Sequence, residues 1–127
     1  MKLRLQGSTL RLRVTRSELA RLQAGQRIEE TVLFPGISDP SLRYTLEAGS
    51  LSQPVEVAFA SHQIVVSISE DQLTSWSGEH QVGIYASLPV TENKNLEVAI
   101  EKDFACLDLS DRDNRDTFAN PIAGKAC

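Results

Sequence analysis

The chain has 127 residues, 41% of them hydrophobic and 24% charged, with a formal net charge of −4 and two cysteines. This is the length of one ordinary domain and the composition of a folded soluble protein, which excludes an intrinsically disordered chain and a disulfide scaffold. The charge is unevenly placed, with a net of +3 over residues 1–50 and −7 over 51–127, a polarity too modest to imply a nucleic-acid partner.

The opening, MKLRLQGSTLRLRV, interrupts its apolar positions with Lys, Arg or other polar residues, so it lacks the continuous apolar region of a signal peptide. No other segment approaches the ~20 apolar residues of a membrane-spanning helix. A cytoplasmic location is therefore expected, with no membrane partner and with Cys106 and Cys127 as thiols. The alternation predicts strands at 2–6 and 9–14 joined by a Gly7–Ser8 turn, with Leu3, Leu5, Leu10 and Leu12 on the core face. The opposite face then pairs Arg4 with Arg11, Lys2 with Arg13 and Gln6 with Thr9.

Thr15 followed by Glu18 marks a capping box, Val14 and Leu19 a hydrophobic staple, and Gly25 the end of a short helix. Strands near 27–34 and 41–48 follow. A second set then succeeds the first: strands near 54–60 and 63–68, a helix capped by Ser69 with Gln72 and ended near Gly78, and strands near 81–88 and 95–101. Adding 54 to the apolar positions of the first half finds an apolar mate in the second, from Leu3 and Val57 through Leu12 and Val66, Leu22 and Trp76, Ile28 and Val82 to Leu46 and Ile100. The expected fold is mainly β with two short helices: two tandem ββαββ repeats, about 1–50 and 54–104, forming a pseudo-twofold antiparallel barrel or two-sheet domain. Residues 1–107 make up this single domain, and 108–127 an acidic, flexible tail.

Like charges directly across a strand pair are destabilising. The first hairpin therefore needs carboxylates from a neighbouring strand, Glu47, Glu97 or Glu101, or a bound anion. The second hairpin has Ala58 and Val65 where Arg4 and Arg11 fall in the first. Arg4, Arg11 and Arg13, with Glu97 and Glu101, are the candidate anion-binding set; a salt-screened exposed face is the plainer account. Cys106 has neither His62 nor His80 at a motif spacing, and is read as a small buried hydrophobe. No catalytic constellation, metal-ligand spacing or cofactor motif is present, and the aspartates from Asp108 onward fail the calcium-loop pattern.

Two resemblances follow. The strand–strand–helix–strand–strand order with charges on one sheet face resembles the triphosphate tunnel, or CYTH-like, architecture, which implies metal-dependent phosphoanhydride hydrolysis using Glu97 and Glu101. Its Glu-x-Glu-x-Lys hallmark is absent, since the first strand reads Lys2-Leu3-Arg4-Leu5-Gln6. The opening, Gln81-Val82-Gly83 and the EKDFACL segment of residues 101–107 together resemble an uncharacterised bacterial family of small proteins, a domain of unknown function. That resemblance implies no activity and directs attention to Asp103 and Cys106. The expectation is a non-enzymatic binding module for a small anion or a protein partner, monomeric or homodimeric, without cofactor.

Overall fold

The computed structural model describes residues 1–38, 40–104 and 116–119. Its elements run β1 (Lys2–Gln6), β2 (Thr9–Val14), α1 (Arg16–Gln23), β3 (Ile28–Leu33), β4 (Ser41–Gly49), β5 (Val55–Ala60), β6 (Gln63–Ser69), α2 (Glu70–Trp76), β7 (Gly83–Thr91) and β8 (Lys94–Lys102). Each strand follows the period-two alternation, and each helix starts at its capping residue. Thr15 Oγ1 accepts from the Glu18 amide while Glu18 Oε1 accepts from the Thr15 amide, completing the capping box. Ser69 accepts from the Gln72 amide at 3.2 Å, but its own amide donates to the Pro54 carbonyl, so the box at α2 is one-sided. Gly25 ends α1 with a φ of 85°, as a helix-terminating glycine does. Gly78 stops α2 without that left-handed turn, and its carbonyl accepts from Lys102 Nζ at 2.7 Å.

The strands form two four-stranded sheets, β1-β2-β8-β7 (the first sheet) and β3-β4-β6-β5 (the second sheet). Hairpins pair antiparallel, but β2 lies parallel to β8 and β4 parallel to β6. This corrects the expected all-antiparallel pairing and the barrel, whereas the two-sheet alternative with two short helices stands. After β2 the chain enters α1 and crosses to the other sheet, so each sheet combines one early and one late hairpin through the second strand of each. The first strands, β1, β7, β3 and β5, are left as edges, and the sheets stay open. The triphosphate-tunnel expectation fails with the barrel, because no ring of strands among the described residues encloses an interior.

Inner-face residues of both sheets and both helices share one core, in which Leu12, Val14, Leu22, Ile28, Leu46, Val66, Ile68, Trp76 and Ile100 are almost wholly buried. Each such side chain stabilises the fold by about 1.5–3 kcal/mol relative to exposure. The Trp76 indole keeps its polar end satisfied by donating to the Val82 carbonyl. The gapless offset breaks at this point. Val82, the expected mate of Ile28, precedes β7 and is 41% exposed, whereas Ile84, two residues later, is 3% exposed and pairs with Ile100 as Ile28 pairs with Leu46. The stretch between α2 and β7 is two residues longer than that between α1 and β3, and it carries the carbonyl that Trp76 requires.

Residues 116–119 pack against the body, and the rest of the expected tail, 108–115 and 120–127, lies outside the described residues. Asp116 accepts from the Ser17 amide and hydroxyl at the start of α1, and these bonds, the hydroxyl first, lower its carboxyl pKa. Phe118 donates its amide to the Asp103 carbonyl, meets Phe104 edge-on and lies under Lys102 Nζ. No helix among the described residues is long and apolar enough to cross a membrane.

Candidate functional site

Strand register brings all five residues of the candidate set to the outer face of the first sheet. Three rows run across β1, β2, β8 and β7: Lys2, Arg13, Glu101, Gly83; then Arg4, Arg11, Ala99, Tyr85; then Gln6, Thr9, Glu97, Ser87. In the central row, two guanidinium groups and a phenol flank the single methyl group of Ala99. A groove of about 300 Å³ opens between Arg4, Gln6, Thr9 and Arg11. A second depression of similar volume, lined by Tyr85, Ser87, Glu97 and Ala99, adjoins it through Thr9.

The charges are only partly matched. Arg11 Nε sits 3.0 Å from Glu101 Oε1, yet the approach lacks a hydrogen-bonding angle, and this buried nitrogen has no hydrogen-bond partner among the described residues. Among the described residues Arg4 reaches the neutral Gln6 Oε1, at 3.2 Å, and no carboxylate. Arg13 is half-buried and has no ion pair among the described residues. Glu97 accepts from Ser87 at 2.7 Å and has no ion pair with an arginine among the described residues. Glu47 lies on the second sheet, where it accepts from Ser67 and stands 3.9 Å from Arg27, so it offers nothing to the first hairpin.

Tyr85 donates to Glu101 Oε2 at 2.7 Å. Burial, reinforced by that bond and by the carboxylate charge, pushes the phenol up to about 12, so it remains a donor at neutral pH. Gly83 makes this geometry available: a Cβ there would stand 2.9 Å from both the Tyr85 hydroxyl and the Ile100 carbonyl. Sequence reasoning missed Tyr85, although an aromatic among the outward residues of β7 is the signal that would have found it. Chemically, the face offers guanidinium, hydroxyl and amide donors around a small-residue floor, a donor set suited to carboxylate or phosphoryl oxygens.

The segment around Asp103 serves a different end. The Asp103 carboxylate stands 3.1 Å from Lys2 Nζ, and its backbone joins Val14 to Phe118, so it clasps the end of the first sheet to residues 116–119. Cys106 lies outside the described residues. Among the described residues, no cluster of three or more His, Cys, Asp or Glu side chains forms a metal-binding group. His62 occupies the β5–β6 turn with a φ of 62°.

Residues 1–122 match the model of a family described as a family of unknown function, DUF7009. No curated protein and no solved structure matches the chain.

Proposed function

The chain belongs to that family of unknown function over nearly its whole length, and from this premise we propose that it is a binding module for a small anion on the outer face of the first sheet. One observation carries the reading. The second sheet has the same strand arrangement, and its corresponding central row is Ala58, Val65, Thr45, Glu29, so this architecture stands without paired arginines. Arg4 and Arg11 supply positive charge at the groove, and Thr9 and Gln6 supply neutral hydrogen-bonding groups. A cytoplasmic setting belongs to the same reading and is supported by the two cysteines of the sequence.

In this reading residues 1–107 act as one domain of two related ββαββ halves. The register supports it: Lys2 opposite Arg13 is answered 54 residues later by Glu56 opposite Ser67, and the parallel step Thr9 to Glu97 is answered by Gln63 to Arg43. One half carries the basic pair and the other does not.

The test is thermal unfolding of the intact chain at low ionic strength with orthophosphate, citrate or a nucleotide added. A ligand at one hundred times its dissociation constant stabilises the native state by about 2.7 kcal/mol. A rise in Tm is expected that fades with salt and disappears in Arg4→Ala/Arg11→Ala, a variant that should fold like the parent. If none of these anions shifts the parent, or the double variant responds equally, the site is wrong.

A further inference from the structure

An open sheet has edges, and an edge strand presents unpaired backbone groups that natural proteins guard with charges, proline or bulges. Three of the four edges here are guarded. β1 carries Lys2 and Arg4, and β3 carries Glu29 and Glu30. β7 carries Pro89, with its register broken between Pro89 and Thr91. β5 reads Val55-Glu56-Val57-Ala58-Phe59-Ala60, with one charge and no proline or register break. Its only extensive neighbour among the described residues is β6.

The direction of its free groups follows from the ladder. The Ser69 amide donates to the Pro54 carbonyl, so Pro54 and Ser69 form a hydrogen-bonded pair. By alternation Glu56, Ala58 and Ala60 turn their amides and carbonyls toward β6, while Val55, Val57 and Phe59 turn theirs outward. Phe59 is 73% exposed, an unusual position for an aromatic on the inner face of a sheet.

We propose that β5 is the contact through which two copies of this chain join, by antiparallel β5–β5 pairing that makes the two second sheets one continuous sheet. The occupant follows from the strand's own pattern. Pairing centred on Val57 sets Val55 opposite the second copy's Phe59, and so engages every outward backbone group. It sets Glu56 opposite Ala58, which keeps the two glutamates apart. The same operation centred on β1 would set Arg4 against Arg4. Each Phe59 then stands beside the second copy's Val55, which is itself buried in its own core, an aromatic–β-branched cross-strand pair, and the small Ala58 and Ala60 leave the other face unobstructed. This inference is independent of the anion site, which lies on the other sheet.

The experiment is sedimentation equilibrium of the full chain and of two single variants, Ala58→Lys and Ala58→Glu, both at an exposed position. The parent is expected to reach twice the 14.0 kDa chain mass as concentration rises. Ala58→Lys faces Glu56 of the second copy and should hold the dimer at least as tightly, more so at low salt. Ala58→Glu faces the same carboxylate, twice by symmetry, and should weaken the dimer about tenfold. Circular dichroism of both variants confirms that folding is intact. A parent that stays monomeric at every concentration, or two variants that dimerise alike, overturns the proposal.

Discussion

The two sheets share strand order, parallel central junctions and buried inner faces, but their outer faces differ. Across the middle of the first run Arg4, Arg11, Ala99 and Tyr85; across the middle of the second run Ala58, Val65, Thr45 and Glu29. The inner faces have to match because both fill one core, whereas the outer faces are free to diverge. Thr45, in the second of these rows, is 1% exposed, and its hydroxyl lacks a hydrogen-bond partner among the described residues. The central outer row of the second sheet holds Ala58, Val65 and Thr45, whereas that of the first holds two arginines and a tyrosine, with Arg11 ion-paired to Glu101.

The largest test of this comparison is in the core. Ile100 in the first sheet and Leu46 in the second occupy corresponding, fully buried positions opposite Ile84 and Ile28. Replacing either by Ala should cost about 2–5 kcal/mol, measured by urea unfolding, with similar values at the two sites. A lesion tolerated at one site and severe at the other would break the equivalence of the inner faces. The helix caps give a smaller contrast. Thr15→Ala removes half of a reciprocal box and Ser69→Ala a single bond, so the costs should lie near ~1 kcal/mol with Thr15 the larger. Equal costs would mean that the additional bond from the Thr15 hydroxyl to Glu18 Oε1, which the same substitution removes, adds nothing.

The smallest effect is read by titration. Because the Tyr85 pKa is raised in the folded state, from 10.0 to about 12, the bond to Glu101 contributes its stability below pH 10 and loses it as pH rises toward 12. Tyr44 is also held above its ordinary value, by burial and then by Glu30 and Glu18, so neither tyrosine should give phenolate absorbance at its usual pH. Glu101→Gln should bring the Tyr85 transition down and leave that of Tyr44 in place. An unchanged profile would show that the hydrogen bond to Glu101 does not govern the phenol.

Much of this was legible in the chain. The alternation placed eight strands close to their observed bounds, and the Thr15 and Ser69 signals located both helices. The gathering of Arg4, Arg11 and Arg13 followed from the first hairpin alone, because a tight turn sets register and register sets which side chains share a face. Tyr85 was not legible as their neighbour, since its row depends on a register in which Ile84, two residues beyond the Val82 that the offset predicts, answers Ile28. The pairing of Glu101 with Arg11, and the separation of Glu47 from both, depended on which hairpins share a sheet.

The sequence by itself therefore determined everything whose partners are near in the chain: strand periodicity, the first hairpin, the caps and the inward residues. Only the tertiary structure decided that β2 meets β8 and β4 meets β6 in parallel, that the sheets remain open, and that β5 is left uncovered by other described elements. The reason is physical. Turn geometry and alternation act over a few residues, whereas pairing between distant hairpins is chosen by how α1 and α2 carry the chain between layers and which apolar faces can be buried together.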